Sequence, residues 1–262
     1  MRRPWIDKNR MQLRSEIIPI ADIGSEQRAQ MFALMTQYYA GMKRDVFEAD
    51  LSEKRWVIEL LEGDTGKIRG FSTQMILESA VGNWPIRALF SGGSIVNRSC
   101  WGQTVLAQAW GRLALTLIGE NPAQKLFWFL ISKGYKTYRY LPVFFREFYP
   151  RPDVATPGWA VETIDALARR KYTGAYDAQA GIIRAQPSGC RLRRGIADIT
   201  PERLRDPHIR FFMERNPGHD RGDELCCIAP LTRENFTAAA SRQLRGHHLE
   251  RVAGDEYRLL VE

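Results

Sequence analysis

The feature that most constrains the fold is an abrupt change of hydrophobic pattern after Val96. The run IRALFSGGSIV, residues 86–96, is apolar and of strand length, and the polar turn NRSCWGQ follows it directly. From residue 105 onward, apolar side chains recur at steps of three and four, which is the spacing of an amphipathic helix. The chain therefore passes from a strand to a helix through a short turn that contains Gly102.

The segments around this turn predict a mixed sheet. WVIELLEG and IRGFSTQMILES precede it as strands joined by short glycine-containing turns, which indicates an antiparallel meander. KLFWFLIS follows the helix as a continuous apolar run, which is typical of a central strand buried on both faces. Strand, helix and strand in that order form a βαβ crossover. We therefore predict an α+β fold: a mixed, mostly antiparallel central sheet with flanking helices.

Flanking helices are predicted on both sides of this unit. QRAQMFALMTQYYAGMK places Met31, Leu34, Met35 and Tyr38 at helical spacing, and AVETIDALARRKY has the same character. We expect residues 1–151 to form one unit. Residues 152–262 are expected to be a C-terminal extension packed on it, with a second lobe as the alternative.

The net charge and the cysteine content limit the kinds of function that the protein can have. The net charge is +8, which favours acidic partners such as nucleic acid, phosphorylated cofactors or an acidic protein without choosing among them. The 4 cysteines form no C-x-x-C motif, so a zinc ribbon and a disulfide framework are not supported, and we predict no metal site. No window predicts a membrane span and the basic start lacks a secretory apolar segment, so we expect a cytoplasmic protein.

The turn after Val96 has the geometry of an anion site. A strand that runs through a glycine turn into a helix presents backbone N–H groups and the positive end of the helix dipole. That arrangement binds phosphate, and Arg98 adds a charged donor. Many strand-to-helix turns contain glycine, so the pattern alone is also compatible with a purely structural turn.

The segment CWGQT, residues 100–104, resembles the cofactor motif of the GNAT acyltransferase superfamily, Q/R-x-x-G-x-G/A. The resemblance implies a turn after the fourth strand whose amides hold the pyrophosphate of coenzyme A. Thr104 stands where the family has its second glycine. The donor-binding residues that the resemblance implies are Ile95, Val96, Arg98, Ser99, Cys100, Trp101, Gly102, Gln103 and Thr104.

Neighbouring segments extend the resemblance over roughly residues 25–151. Gly92 and Gly93 stand where the family's fourth strand carries a bulge that splays it from the fifth, and glycine inside a strand independently indicates a bulge or a close approach. SIV, residues 94–96, is the strand end that would pair with the pantetheine arm. LPVFFREFYPRP is similar to the family's following helix motif, with Phe145 at the position of the common tyrosine.

Acyl transfer to an amine needs a proton acceptor, and the strand 86–96 contains no carboxylate. Glu78, Glu48 and Asp50 are the nearest alternatives, each of which is equally explained as a surface acid. Ser91, beside the expected bulge, is a candidate to orient a proton-relay water or simply pairs within the sheet.

Candidates for the acid that protonates the departing sulfur lie beyond the fifth strand. Tyr138 falls where the family often has a cofactor-facing residue, while Tyr135 and Tyr140 flank it. These tyrosines are otherwise interpreted as a substrate wall. Cys100 is interpreted as a bystander of the phosphate turn, and GHDRGDE, residues 218–224, as a solvated turn rather than a metal or base site.

Residues 133–151 combine lysines and arginines with tyrosines and phenylalanines. Such a segment forms a stacking surface for nucleic acid, or it receives the 3′-phosphate of coenzyme A or the acidic helix of an acyl carrier protein. Its position directly after the fifth strand favours the cofactor side. Large apolar side chains around the expected acyl channel (Phe71, Phe90, Trp101, Phe127 and Phe129) are compatible with a long acyl donor or with ordinary core.

The sequence thus predicts an N-acyltransferase that moves an acyl group from acyl-CoA, or from the phosphopantetheine of an acyl carrier protein, to a small-molecule or peptide amine. The predicted catalytic residues are Tyr138, Glu78 and Ser91. No metal is expected, and nucleic acid is not expected as a partner. The alternative is a non-catalytic protein of the same fold that binds nucleic acid or an acidic protein, and a third possibility places the chemistry in the C-terminal part.

Overall fold

The computed structural model describes residues 11–121, 124–186, 189–244, 247–253 and 256–261; residues 1–10, the basic start, lie outside them. Its strands are β1 (Leu13–Pro19), β2 (Tyr39–Ala40), β3 (Trp56–Glu62), β4 (Ile68–Val81), β5 (Trp84–Val96), β6 (Leu126–Ser132), β7 (Tyr176–Asp177), β8 (Ile182–Ile183), β9 (Arg191–Leu192), β10 (Glu224–Pro230), β11 (His247–Ala253) and β12 (Glu256–Val261).

The helices are α1 (Ser25–Tyr38), α2 (Arg44–Ser52), α3 (Val105–Glu120), α4 (Tyr135–Tyr138), α5 (Tyr140–Phe144), α6 (Gly158–Lys171), α7 (Pro207–Arg215) and α8 (Ala238–Leu244). Short 3-10 turns occur between them, one of which, Arg98–Cys100, lies just before α3. Residues 135–144 form two short helices that meet at Arg139, three residues before Pro142. Proline lies within the first turn of α5, where its missing N–H costs no helical hydrogen bond.

The central sheet has 8 strands in the order β1-β3-β4-β5-β6-β10-β8-β7. Every neighbouring pair is antiparallel except β5 and β6, which are parallel and joined through α3. The predicted fold class is confirmed, including the βαβ crossover within an otherwise antiparallel sheet.

Side chains of the sheet alternate between two faces. On the first, which we call the α3 face, Leu89 and Trp128 pack with residues of α3, α5, α7 and α8. On the second, the α6 face, Phe90 and Phe129 pack under α6, while α1 and α2 cover Phe71. Strand residues thus bury apolar side chains on both faces, which explains the continuous apolar sequence of β6.

The C-terminal part of the chain belongs to the same sheet. It supplies β10, which pairs with the outer edge of β6, followed by β8 and β7. A further segment returns to the N-terminal half, where β9 pairs with β2 through Tyr39 and Leu192. The last strand, β12, pairs with β11 in a separate hairpin rather than in the central sheet.

Candidate active site

The main structural feature of the site is a gap between β5 and β6. Their parallel pairing runs from Arg87 opposite Leu126 to Ser91 opposite Leu130 and then stops. Beyond that point β5 follows β4 as far as Val96, whereas β6 follows β10. The two strands therefore diverge, as the family resemblance implied.

A bulge in β5 marks the point of divergence. Ser72 lies opposite Ser94 and Gln74 opposite Ser91, so β5 has one residue more than β4 between these pairs. A Cβ atom at Gly92 would lie 2.7 Å from the Cε atom of Lys54 and 2.8 Å from the Oγ1 atom of Thr73. The bulge predicted at Gly92–Gly93 is confirmed, and a side chain at Gly92 would force Lys54 and Thr73 to shift.

A cavity of about 600 Å³ occupies the gap. On the α3 face it is lined by Leu106 and Trp110 of α3, and on the α6 face by Phe47 of α2 and by Tyr172. Because one cavity is lined from both faces, it passes through the sheet. Its volume is in the range of small-molecule sites.

The predicted catalytic residue Ser91 lies in the wall of this cavity as the centre of a buried polar chain. Its hydroxyl accepts hydrogen bonds from the indole N–H groups of Trp110 (3.1 Å) and Trp128 (2.9 Å) and donates to the Oε1 atom of Gln74 (2.7 Å). All three hydrogen-bonding positions of the hydroxyl are used, so Ser91 fixes the wall at the point of divergence.

The polar chain continues from Gln74 back to the bulge. The Nε2 atom of Gln74 donates to Ser72 (2.7 Å), whose hydroxyl lies 2.5 Å from that of Ser94. Ser94 donates to the carbonyl oxygen of Gly92 (3.2 Å). Since Ser94 uses its proton in that bond, Ser72 donates to Ser94, and every donor in the chain points the same way.

The turn before α3 differs in detail from the expected phosphate cradle. The amides of Cys100, Trp101 and Gln103 donate to carbonyl oxygens within the turn, and the amide of Ser99 donates to the Asn97 side chain. These amides are therefore occupied, because the 3-10 turn uses them. The N–H groups at the first turn of α3 have no intrahelical acceptor, and Thr104 makes no side-chain cap for them.

Gly102 adopts a φ of +83°, and a Cβ atom there would meet no heavy atom within 4 Å. This left-handed conformation favours glycine and leaves open space before α3. Cys100 is buried with its thiol 3.7 Å from the sulfur of Met11, which agrees with its interpretation as a bystander.

Two cations lie against the indole ring of Trp101, which lines the cavity beside α3. The Nζ atom of Lys136 lies 3.5 Å from the centroid of the Trp101 ring and the guanidinium of Arg98 lies 5.5 Å from it. The indole N–H of Trp101 donates to the carbonyl oxygen of Val96 (2.9 Å). Partial burial and the nearby Arg98 charge lower the pKa of Lys136. We call this end of the cavity the cationic mouth.

On the α6 face the cavity meets a cluster of ionisable groups from four separate segments: Tyr39, Lys133, Cys190 and Glu224. The Nζ atom of Lys133 lies 2.5 Å from the Oε1 atom of Glu224, and the side chains are 18% and 16% exposed. We call this set the Lys133 cluster. A half-buried ion pair that faces a cavity beside other ionisable groups is a candidate functional site.

Three members of the Lys133 cluster, Tyr39, Lys133 and Cys190, have a shifted pKa. Burial raises the pKa of Tyr39 to about 12 and also raises the pKa of the Cys190 thiol, which the nearby Lys133 charge partly offsets. Burial alone would lower the pKa of Lys133, but the Glu224 carboxylate outweighs it and the pKa is raised. Lys133 therefore remains an ammonium ion beside the carboxylate of Glu224.

A second carboxylate, Asp50 of α2, also lines the cavity. Its Oδ1 atom lies 2.5 Å from the Nζ atom of Lys54, whose side chain is fully buried against the bulge at Gly92. Burial lowers the pKa of Lys54, while the Asp50 charge acts in the opposite direction. Asp50 is thereby placed close to the point where β5 and β6 diverge.

The remaining predicted catalytic residues lie elsewhere. The Glu78 side chain is 75% exposed and lies 3.8 Å from the guanidinium of Arg87, and Glu48 is paired with Arg28 and Arg44. Tyr138 is buried and its hydroxyl donates to the carbonyl oxygen of Pro150 (2.9 Å). None of the three lines the cavity, so the structure does not bring Glu78 and Tyr138 together with Ser91.

Sequence reasoning missed the Lys133 cluster because its members come from parts of the chain without a motif. Glu224 is the first residue of β10, and Leu225 pairs with Ser132 at the end of β6, so Glu224 meets Lys133 across the two strands. The signal was the apolar run LCCIAP directly after this acid, which has the length of a strand.

The basic and aromatic segment 133–151 does not form a stacking surface. Tyr135, Phe145 and Phe148 are buried, Arg139 pairs with Asp206, and Arg151 lies 2.5 Å from Asp153. Phe145, at the position of the family tyrosine, packs 5.4 Å from the Trp128 ring. Of the rings in this segment only Tyr140, 38% exposed, is open to solvent, whereas nucleic-acid stacking uses several exposed rings in succession.

In the part of the chain that the structure describes, no group of His, Cys, Asp and Glu side chains is suited to hold a metal ion. His219 of GHDRGDE lies with its Nδ1 atom 2.9 Å from the carbonyl oxygen of Asn216, and Asp223 pairs with Arg184. Among the same residues, no helix has the length and apolar character needed to cross a bilayer.

No family model and no curated protein matches the chain. Solved structures match part of it. A conserved protein of unknown function from Enterococcus faecalis V583, described as a probable N-acyltransferase, matches 51% of the chain at 13% identity and a TM-score of 0.38. A GCN5-related N-acetyltransferase from Kribbella flavida matches 53% of the chain at 12% identity and the same TM-score of 0.38.

A GNAT family N-acetyltransferase from Escherichia coli in complex with CoA matches 47% of the chain and 64% of its own length, at 15% identity and a TM-score of 0.33. The matched part spans about a third of the first two proteins, 33% and 34% of their lengths. At these identities the likeness concerns the fold of about half of the chain.

Proposed function

We propose that the protein is an N-acyltransferase that uses acyl-CoA as donor. The observation that carries this proposal is the cavity that passes through the sheet where β5 and β6 diverge, lined by Lys136 on the α3 side and by the ion-paired Asp50 and Glu224 on the α6 side. An extended thioester needs such a path, because its phosphates and its reacting carbonyl group lie far apart.

The donor enters at the cationic mouth. Arg98, Lys136 and the N–H groups at the first turn of α3 bind the phosphates, since charged donors and a helix N-terminus both favour anions. The pantetheine arm lies in the gap between the diverging strands. Its thioester carbonyl then reaches the bulge at Gly92–Gly93.

The amine acceptor approaches from the α6 face. Its nitrogen attacks the thioester carbon, the C–S bond breaks, and the nitrogen proton passes to the carboxylate of Asp50. The departing thiolate takes up a proton, for which Tyr140 is the phenol lining the α3 side of the cavity in place of the predicted Tyr138. Lys133 and Glu224 contact the acceptor's polar groups beside this point.

Binding of CoA by calorimetry tests the donor site. Gly102→Glu is expected to abolish binding, because it places a carboxylate in front of α3. Gly66→Glu is the matched control, since Gly66 also has positive φ (66°) and open space around it but does not line the cavity. Loss of binding in both variants, or in neither, contradicts the proposed site.

A comparison of acyl donors and amine acceptors tests the proposed acyl transfer. Acyl-CoA and acyl carrier protein, each with a panel of amines, are compared by mass spectrometry of the amide and the released thiol. Asp50→Asn is expected to lower kcat by about 100-fold, in the range for loss of a general base. Glu48→Gln on the same helix is the control. Binding of nucleic acid without any effect of CoA would favour the non-catalytic alternative.

A further inference from the structure

The cavity has an apolar branch that begins at the bulge. A Cβ atom at Gly93 would lie 3.9 Å from the Cε atom of Met35, so the methionine side chain borders the place where the thioester carbonyl is proposed to lie. The branch continues between the sheet and α2. We define it by the side chains Met35, Met42, Val46, Phe47, Leu51 and Phe71.

The exposure of the lining side chains shows which end of the branch is buried and which end reaches solvent. Phe71 of β4 is 0% exposed and Leu51 of α2 is 1% exposed, so the inner end lies within the core. Val46, on the same helix, is 57% exposed and marks the outer end. The branch therefore runs from the bulge along α2 toward solvent, a length that an acetyl group, with its single methyl, leaves unfilled.

The chemistry of the walls selects an apolar occupant. All six side chains of the branch are hydrophobic, and the two methionines are flexible and adapt to chains of different shape. Asp50 lies between Phe47 and Leu51 on α2, but its carboxylate is held by the ammonium group of Lys54 at the bulge. A polar amine would lose its hydration there without gaining a hydrogen-bond partner.

Resting on the proposed function, we infer that the donor is a medium- or long-chain fatty acyl thioester whose chain occupies the apolar branch. Acetyl-CoA fits the gap but leaves the branch unused. Each methylene that enters the branch leaves water and adds to the affinity.

Tryptophan fluorescence measures this directly, because Trp101, Trp110 and Trp128 line the cavity. The full-length protein is titrated with CoA, acetyl-CoA, octanoyl-CoA and dodecanoyl-CoA. We expect octanoyl-CoA to bind at least about tenfold more tightly than acetyl-CoA, a small part of the transfer free energy of its additional methylenes.

Two variants test whether the acyl chain of the donor lies in the apolar branch. Val46→Asp and Met42→Asp each place a carboxylate in the branch and are expected to remove the gain from chain length while the affinity for CoA changes by less than about twofold. Val161→Asp is the matched control: Val161 is also an exposed helical valine (43%) but does not line the cavity. Thermal unfolding confirms that each variant is folded.

The outcomes separate the inference from the proposed function. If neither CoA nor any acyl-CoA changes the fluorescence, the donor site itself is wrong. If CoA binds but longer chains bind no better than acetyl, or the gain survives in both branch variants, the acyl-chain inference is wrong while the proposed function stands. Turnover of acetyl-CoA with apolar amines, without a chain-length gain, would instead assign the branch to the acceptor.

Discussion

Lys133 and Glu224 form a half-buried ion pair, with Nζ 2.5 Å from Oε1, although 91 residues separate them in the chain. The pair joins the end of β6 to the start of β10 and faces the cavity. It therefore links the N-terminal part, which carries the family-like segments, to the C-terminal part.

Glu224→Gln is expected to destabilise the protein by about 1.5–3 kcal/mol, because it leaves a half-buried ammonium ion without its charged hydrogen-bond partner. Adding Lys133→Met should recover at least half of that loss. Urea denaturation measures both. Glu16→Gln, which breaks the exposed pair with Arg14, serves as control and should change the free energy of unfolding by less than about 1 kcal/mol. Equal effects at both sites would contradict the assigned burial.

Gly92→Ala is expected to cost about 1–3 kcal/mol, because the new methyl group would overlap Lys54 and Thr73 at 2.7 and 2.8 Å. Gly93→Ala is the neighbouring control, since its Cβ atom meets only Met35 at an ordinary 3.9 Å. The free energies of unfolding of the two variants are compared with that of the wild type. If the two substitutions cost the same, the bulge does not have the packing described above.

Ser91→Ala is expected to lower stability by at least about 2 kcal/mol, because it leaves two indole N–H groups and the Gln74 carbonyl oxygen without a partner in the core. The near-ultraviolet circular dichroism of Trp110 and Trp128 should change as well. Ser79→Ala removes a hydroxyl whose contact with the Ala166 carbonyl oxygen is 3.4 Å long, and should be nearly neutral. A neutral Ser91→Ala would show that the polar chain is not needed.

The pH dependence of stability is predicted at Tyr39. Burial raises its pKa from 10.0 to about 12, so between these values the folded state keeps a proton that the unfolded state loses. This contribution is fully present below pH 10 and is lost as the pH rises through about 12. Relative to Tyr39→Phe, the wild type should therefore lose stability over this interval in urea titrations. Parallel curves for the two proteins would contradict a buried phenol at this position.

Much of the N-terminal half was predictable because its signals are local. The periodicity of the segments around Val96 predicts β5, α3 and β6 almost to the residue, and the glycine pair predicts the bulge. The strand β1 was not anticipated, because its alternating polar and apolar residues follow a basic start without a turn signal.

The candidate site was less predictable, since it depends on contacts between distant segments. Ser91 lines the cavity because it is fixed by the bulge next to it, whereas Tyr138 was placed by counting along a helix that breaks at Arg139. That break turns Tyr140 toward the cavity and Tyr138 into the core. Glu224 depends on the register of β10 with β6, which no local pattern encodes.

The pairing of β6 with β10 has a mechanical consequence. A strand that separates from its neighbour loses the hydrogen bonds along one edge. The other edge of β6 is hydrogen-bonded to β10, which keeps β6 in the sheet. The opening between β5 and β6 is therefore held in place by the pairing of β6 with β10. A ligand that enters the opening does not have to separate the two strands. The backbone N–H and C=O groups at the strand edges are already positioned to pair with it, as they would with an added strand.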